Sequence, residues 1–255
     1  MPDAEKETAE SWEARYAGRE RLWSGRPNEA LVAALSGLEP GRALELGCGE
    51  GGDAIWLALR GWRVTAVDIS ATAVARAREA AARLGVPEDR IDWVVADLSD
   101  WAGEGGQDLV FASFLHGTAT ASRWTILQRA CRLLPPGGRL LSIAHAQAPP
   151  WAAHEQDRLP GAAHAPAGDR GGHGNGGTAA GAVGGHGNGG TAAGAVGGHA
   201  HDGELFPTPE QEAAALAVPP DAWELELAQL REREASGPDG ERAVLYDSVV
   251  LLRRR

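Results

Sequence analysis

The residues with the clearest chemical potential form a glycine-rich turn between an apolar segment and a helical one. Gly47, Gly49 and Gly52 match the G-x-G-x-x-G pattern of dinucleotide sites, and Gly47, Gly49 and Gly51 match G-x-G-x-G. Glycines at a strand–helix junction let backbone N–H groups approach a bound group without an intervening side chain. Either pattern also occurs in a tight turn that binds nothing, so the neighbouring residues decide between these interpretations.

Three carboxylates stand at or near the ends of successive predicted strands. Glu45 precedes the glycine turn by two residues, Asp68 ends the second strand and Asp97 closes the third. A carboxylate at Glu45 would repel a pyrophosphate but accept hydrogen bonds from an ammonium, and Asp68 is placed to bind two ribose hydroxyls. Asp97 can accept from an adenine amine, with Ile69 and Leu98 as apolar walls. These groups together predict S-adenosylmethionine, which has no phosphate, although Asp68 and Asp97 also suit helix N-caps or loops.

Hydrophobic periodicity places these residues in alternating strands and helices. We expect strands at 43–46, 63–68, 91–96, 108–114, 139–144, 223–227 and 243–252. We expect helices over 5–18, from an N-cap at Asn28, over 54–59, 71–84 and 121–134, and from a capping box of Thr208 and Gln211. This order predicts an α/β fold, a Rossmann-like three-layer sandwich with a seven-stranded, mostly parallel sheet and a C-terminal antiparallel hairpin.

A histidine- and glycine-rich segment interrupts the pattern at residues 145–206. Residues 171–183 and 184–196 repeat the same 13-residue sequence, GGHGNGGTAAGAV. The unit is too short and polar to bury a core, so we predict a flexible insertion within a single domain formed by 1–144 and 207–255. Histidines spaced by 13 in such a chain have no preorganised geometry, and we therefore predict no metal site.

The sequence resembles class I S-adenosylmethionine-dependent methyltransferases. The resemblance lies in the runs at 43–61, 64–70, 95–98 and 134–138, and in the closing hairpin. It implies the seven-stranded fold, the S-adenosylmethionine cofactor and methyl transfer as the activity. The cofactor-binding positions expected from the residues and the resemblance are Glu45, Gly47, Cys48, Gly49, Gly51, Asp68, Ile69, Asp97, Leu98, Ser113, Trp12 and Trp23.

The N-terminal aromatic residues resemble a narrower group, the thiopurine and tellurite-resistance methyltransferases. In that group the N-terminal segment folds over cofactor and substrate, which would bring Trp12, Tyr16 and Trp23 near the methyl donor. An aromatic face can attract a sulfonium through a cation–π contact. The alternative is that these three side chains form only a hydrophobic lid or part of the core.

His116 is the candidate catalytic residue. It follows the fourth predicted strand, where substrate is expected, and it is the only histidine outside the 145–201 region. A histidine there can act as a general base or contact the substrate, but it also suits the exposed start of a helix. His145 is a weaker second candidate, and Arg26 either orients an anionic substrate or is simply exposed. Cys48 lies inside the glycine turn and is interpreted as a small filler.

Composition limits the partners. The chain has 255 residues, 43% of them hydrophobic, which suits one domain, and its net charge is −11. Such an acidic chain is a poor ligand for nucleic acid or an anionic membrane. The two cysteines form no framework and the N-terminus carries no signal region, so we expect a cytoplasmic protein, a monomer or simple homodimer.

Three functions remain open from the sequence. The leading hypothesis is methyl transfer from S-adenosylmethionine to a small-molecule acceptor, which is a thiol, chalcogen oxyanion, amine or hydroxyl. The second is a nicotinamide-dependent oxidoreductase that uses the same glycine turn. The third is a non-catalytic cofactor-binding module.

Overall fold

A computed structural model describes residues 8–118, 120–148, 150, 206–236 and 240–255. The predicted insertion at 145–206 falls outside the described residues apart from 145–148, 150 and 206. Its tandem repeat therefore lies outside the described residues, and its flexibility stays a prediction.

A single seven-stranded sheet organises the described residues, in the order β3-β2-β1-β4-β5-β7-β6. The first five strands in the chain pair in parallel, and β7 pairs antiparallel with both β5 and β6. The strands are β1 Arg42–Leu46, β2 Arg63–Asp68, β3 Ile91–Val95, β4 Leu109–Ser113, β5 Arg139–His145, β6 Trp223–Ser236 and β7 Arg242–Arg254. The predicted α/β sheet with its antiparallel hairpin is confirmed.

Except for α3 (Gly52–Ala58), which has Gly51 as its N-cap, the described α-helices begin at polar side chains that satisfy the first free backbone N–H groups. Asn28 accepts from Ala30 and Leu31, Ser70 accepts from Ala73, and Thr208 forms the predicted capping box with Gln211. The helices are α1 Ala9–Ala17, α2 Glu29–Leu35, α3 Gly52–Ala58, α4 Ala71–Arg83, α5 Arg123–Ala130 and α6 Pro209–Ala215. The predicted helix 121–134 is shorter than expected, because it tightens into a 3₁₀ turn at Cys131–Leu133.

Alternation along the strands divides the core between the two faces of the sheet. On β1, Ala43 packs in one cluster with Leu57 of α3, whereas Leu44 packs in the other with Leu127 of α5. Glu45 has the same parity as Ala43, so its side chain points to the face covered by α3. A carboxylate is therefore placed among apolar neighbours at the end of a central strand.

A buried ion pair joins the segments on either side of the insertion. Arg123 of α5 donates to Glu212 of α6 at 2.5 Å, and the two side chains are 4% and 0% exposed. Ser142 of β5 and the indole of Trp124 also donate to this carboxylate. Because Arg123 and Ser142 are buried, Glu212 fixes α6 against α5 and the sheet.

Replacing Glu212 with alanine is expected to destabilise the fold by about 3–5 kcal/mol, because the variant leaves a buried arginine cation without its counter-charge. Urea unfolding of both proteins measures the difference. The matched control is Glu210→Ala, at an exposed position two residues earlier in the same helix. It should change stability by no more than about 0.5 kcal/mol. Equal effects of the two substitutions would contradict the structural role of the pair.

Candidate active site

A cavity of about 1400 Å³ opens at the carboxyl ends of β1, β2 and β4, beneath the N-terminal segment. Open α/β sheets bind ligands at this edge, where the strand order reverses between β1 and β4. Most of the predicted site residues line it: Trp12, Trp23, Glu45, Gly47, Cys48, Gly49, Asp68, Ile69, Leu98, Ser113 and His116. The sequence-predicted residues that do not line it are Gly51 and Asp97.

Asp68 holds the glycine turn in place. Its Oδ2 accepts the backbone N–H of Gly49 at 2.7 Å, and its Oδ1 accepts that of Ser70 at 2.9 Å. The N–H groups of Gly47 and Cys48 donate to the carbonyl of Val67 just before it. The end of β2 and the turn after β1 are thus one hydrogen-bonded unit, and Asp68 remains beside the cavity.

Gly51 and Asp97 instead have local structural roles. Gly51 is the N-cap of α3 in the left-handed region (φ +82°), and an added Cβ would lie 2.7 Å from Trp93. Asp97 uses Oδ1 to accept the N–H and the hydroxyl of Ser99, at 2.8 and 2.6 Å. Backbone conformation and packing account for glycine at position 51, and turn closure accounts for aspartate at position 97.

Glu45 lies at the floor of the cavity with one unsatisfied carboxylate oxygen. The residue is 3% exposed, and no described group hydrogen-bonds Oε2. Burial raises its pKa well above the ordinary value, and the nearby Asp53 and Asp68 raise it further. A buried acceptor without a donor is destabilising unless a ligand supplies one, so this oxygen marks a position for a hydrogen-bond donor.

Two further carboxylates attach the N-terminal segment to the turn. Glu50 accepts the backbone N–H groups of Leu22 and Trp23 and pairs with Arg76 of α4 at 3.1 Å. Asp53, in the first turn of α3, accepts the N–H of Asn28 at 2.6 Å. Neither residue is predicted from the sequence, although Glu50 lies within the glycine pattern and Asp53 follows it. The reason is that their partners lie 25 to 28 positions earlier in the chain.

Helix α1 is attached to the same region from the other side. Glu13 accepts from the hydroxyl of Ser70 at 2.7 Å and from the hydroxyl and N–H of Thr72, and these bonds lower its pKa. The indole of Trp12 then lies edge to face with the imidazole of His116, with 5.5 Å between the ring centroids. The N-terminal segment therefore covers the cavity, as expected from the aromatic pattern.

Tyr16 and Trp23 contact the glycine turn directly. The Trp23 indole donates to the Tyr16 hydroxyl at 3.0 Å, and a Cβ at Gly49 would meet that hydroxyl at 3.0 Å. Burial raises the pKa of the Tyr16 hydroxyl, so it stays neutral. Burial likewise raises the pKa of the Cys48 thiol, with Glu45 and Asp68 adding to it. Cys48 is therefore a neutral thiol rather than a nucleophile, which agrees with its interpretation as a filler.

The far wall of the cavity is built by β5, β6 and β7. His145 lies there with its Nδ1 3.3 Å from the buried carboxylate of Asp247, which also accepts from Arg233 at 2.8 Å. The ring of Phe114 stacks on the imidazole with 4.0 Å between centroids. His145 thus has polar partners at the wall, whereas His116 meets the aromatic cover.

Acidic groups predominate around the cavity. The carboxylate side chains that line it are Glu29, Glu45, Glu50, Asp53, Asp68, Glu232, Glu234 and Asp247. The lining cations are Arg26, Arg231 and Arg233. A potential of this sign favours cationic or neutral ligands over polyanions.

Two further features of the described residues bear on other functions. No group of three His, Cys, Asp or Glu residues in the described ranges is arranged to hold a metal ion. Within those ranges, no helix has the length and apolar character to cross a bilayer. The histidines of the tandem repeat lie outside these ranges.

Comparison with known proteins finds similarity to methyltransferases over part of the chain. Residues 43–138 match the methyltransferase domain family. Ribosomal RNA small subunit methyltransferase C of Alcanivorax borkumensis is 33% identical over 143 residues, 49% of this chain and 40% of that protein. Probable thiol methyltransferase 2 of Arabidopsis thaliana is 30% identical over 137 residues, 52% of this chain and 60% of that protein. The chain therefore spans about half the length of the curated relatives it matches.

A solved structure extends the likeness to nearly the whole chain. The subject of that structure is the conversion of a disulfide bond into a thioacetal group during echinomycin biosynthesis. It has a TM-score of 0.62 and 23% identity, and the match covers 96% of this chain and 91% of that one. At this identity the likeness shows the fold.

Replacing Glu50 with alanine is expected to loosen the N-terminal cover, because two backbone N–H groups and Arg76 lose their common acceptor. Hydrogen exchange at the amides of Leu22 and Trp23 should accelerate about tenfold, equivalent to ~1.4 kcal/mol for the lost bonds. Glu79→Ala, an exposed change on the same helix as Arg76, should leave both amides as in the wild type. Unchanged exchange in the Glu50 variant would mean that other contacts hold the cover.

Replacing Glu45 with glutamine is expected to stabilise the ligand-free protein at neutral pH. The raised pKa means that the folded protein keeps a proton that the unfolded chain releases. Wild-type stability should therefore fall as pH rises from the ordinary value of 4.5 towards the raised pKa, and stay low above it. Urea unfolding across this range measures the difference, with the exposed Glu39→Gln as control. A stability difference between the Glu45 variant and the wild type that does not grow with pH would contradict the raised pKa of the buried carboxyl.

Proposed function

We propose that the chain transfers a methyl group from S-adenosylmethionine to a small-molecule acceptor, because residues 43–138 match the methyltransferase domain family. One observation carries the proposal beyond the family match. Glu45 presents an unpartnered, buried oxygen to the cavity, and Asp68 lies at the end of the adjacent strand. An ammonium or hydroxyl group would satisfy these acceptors, and a phosphate would not.

The cavity fits this cofactor in the chemistry of its groups. Glu45 would accept from the amine, Asp68 would hold the ribose hydroxyls, and Ile69 and Leu98 would flank the base. The backbone of Gly47, Cys48 and Gly49 would follow the cofactor closely. When bound, S-adenosylmethionine supplies an electrophilic methyl group on a sulfonium. Asp97, whose Oδ1 accepts from Ser99, would accept from the adenine amine.

The chain's own contribution is alignment and exclusion of water. Trp12, Tyr16 and Trp23 cover the glycine turn, so an acceptor that enters beneath them loses solvent on that side. Holding two reactants in one orientation can supply most of the rate enhancement for such a displacement. An aromatic cover also suits a sulfonium, since ring faces attract cations.

Of the two alternative functions, the nicotinamide-dependent oxidoreductase fits the site less well. A nicotinamide cofactor would bring its pyrophosphate to the glycine turn, where Glu45, Asp53 and Asp68 would repel it. A non-catalytic binding module would bind the same cofactor without turnover, so only a kinetic assay separates it from the leading proposal.

The acceptor is proposed to be a small molecule. The net charge of −11 and the acidic cavity lining oppose nucleic acid, although one relative is named for ribosomal RNA. Thiols, chalcogen oxyanions, amines and hydroxyls are the candidate acceptors, as in the thiopurine and tellurite-resistance group. We also retain the expectations of a cytoplasmic location and of a monomer or simple homodimer.

Calorimetric titration with S-adenosylmethionine, S-adenosylhomocysteine and NAD, followed by methyl-transfer assays on an acceptor panel, tests the proposal. Binding of the first two with turnover of a panel member supports it. Binding without turnover favours the non-catalytic module. Tight NAD binding without a response to S-adenosylmethionine would overturn the proposal.

Replacing Asp68 with alanine is expected to weaken S-adenosylmethionine binding by about 1–3 kcal/mol, because paired ribose hydroxyls would lose their acceptor. Asp92→Ala, an exposed change on the neighbouring strand, should bind as the wild type does. Both affinities are measured by calorimetry, with circular dichroism to verify the fold. An unchanged affinity in the Asp68 variant would mean that this carboxylate does not hold the ribose.

A further inference from the structure

The wall of the cavity opposite the glycine turn carries a histidine bound by a buried carboxylate. His145 ends β5, and Asp247 is its register partner on β7. The imidazole Nδ1 lies 3.3 Å from Asp247 Oδ1, and the Asp247 side chain is only 3% exposed. His145 itself is one-third exposed and lines the cavity. This arrangement presents one edge of the ring to Asp247 and leaves the rest for a ligand.

The ring plane of His145 is fixed by a strained neighbour. Phe114 stacks on it with 4.0 Å between centroids and 17° between planes. Phe114 has φ +56°, a left-handed conformation that bulky residues rarely adopt. Strain of this kind is retained at sites where the side-chain position matters. Here it places the phenyl ring between the end of β4 and the imidazole.

Arg233 completes the cluster from β6. Its Nε donates to Asp247 Oδ2 at 2.8 Å, so the carboxylate is used on both oxygens. Its guanidinium also lies over the Phe114 ring at 5.4 Å. The charges of Arg233 and Asp247 are opposite, so this pair adds no net charge to the wall of the cavity.

We propose that His145 is the general base of the methyl transfer, with Asp247 as its positioning residue, and that the acceptor is a neutral hydroxyl compound. This rests on the proposed function. Asp247 accepts the Nδ1 proton, which leaves the lone pair on Nε2, a nitrogen that no described residue hydrogen-bonds. The imidazolium formed on proton uptake is stabilised by the same carboxylate.

In the transfer step, the hydroxyl oxygen forms its bond to the methyl carbon while its proton passes to His145 Nε2. The electron pair of the old carbon–sulfur bond remains on the donor sulfur, which becomes a neutral thioether. His145 then releases its proton to solvent through its exposed edge.

The need for a base narrows the class of acceptor. A hydroxyl such as that of a phenol, with a pKa of about 10, is protonated at neutral pH and must lose its proton to react. An oxyanion or an ionised thiol needs no base, and it would meet the excess of carboxylates that lines the cavity. A cavity-lining histidine paired with a buried aspartate therefore favours a neutral hydroxyl over a chalcogen oxyanion.

The tautomer of His145 decides the proposal without any assay of activity. Arg233 Nη2 also lies 3.3 Å from Nδ1, and if Nδ1 accepted from it, Nε2 would carry the proton. Nitrogen-15 NMR of the imidazole distinguishes the two forms, with His145→Gln to assign the signal. The proposal expects the Nδ1–H tautomer in the wild type and its loss in Asp247→Asn. A dominant Nε2–H tautomer would overturn it, because Nε2 could not take a proton.

A matched pair of acceptors tests the same step kinetically. Phenol and benzenethiol differ in one atom, and at mildly alkaline pH the thiol is ionised whereas phenol is not. His145→Gln should lower methylation of phenol, or of catechol or benzyl alcohol, by about 10²–10⁴-fold. Methylation of benzenethiol, which needs no base, should fall by a much smaller factor. Loss confined to His116→Gln would move the base to His116 and overturn the proposal.

The two proposals fail in different ways. A wild-type protein that methylates benzenethiol and none of the hydroxyl compounds overturns the assignment of His145 and leaves methyl transfer intact. A wild-type protein that neither binds S-adenosylmethionine nor methylates any of these acceptors contradicts the proposed function, and the assignment of His145 falls with it.

Discussion

Four carboxylates are buried at one edge of the sheet, and the way each obtains hydrogen bonds determines the local structure. Removing a carboxylate from water is costly unless donors replace the solvent. Asp68 takes two backbone N–H groups, Asp53 takes one, and Glu50 takes two together with an arginine. These donors come from the glycine turn, from Ser70 and Arg76 at and within α4, and from the N-terminal segment. Satisfying the carboxylates therefore assembles the site.

Glu45 is the member of this group that the protein leaves incomplete. Its unpartnered oxygen faces a cavity bordered by the turn that Asp68 fixes and by the segment that Glu50 holds. The protein is thereby less stable without a ligand than it would be with an apolar residue at position 45. Loss of stability at a site that a ligand later satisfies is common where function and folding compete.

Much of the fold was predictable because its determinants are local. Strand periodicity, the caps at Asn28 and Ser70, and the Thr208 capping box all act over a few residues, and all agree with the structure. β6 extends well beyond the predicted 223–227, because its charged second half is stabilised by pairing with β7 rather than by an apolar pattern. Pairing of that kind is not visible in a local window.

The site was predictable only where a residue's role follows from its place at a strand end. Glu45 and Asp68 belong to that class. Glu50 and Asp53 act through backbone groups of a distant segment, and Asp247 meets His145 across 102 positions. Asp97, at the end of β3, also accepts from Ser99 in its own turn, and its contact with a ligand remains a prediction. Spacing identifies candidate groups, whereas tertiary contacts decide which of them remain available to a ligand.

The most direct test of the central claim is a crystal structure of the protein with S-adenosylhomocysteine. The account predicts the amine of the ligand against the Glu45 carboxylate and the ribose hydroxyls against Asp68, beneath the cover of Trp12, Tyr16 and Trp23. A ligand bound elsewhere, or one bound in this cavity without contact to Glu45 and Asp68, would contradict it.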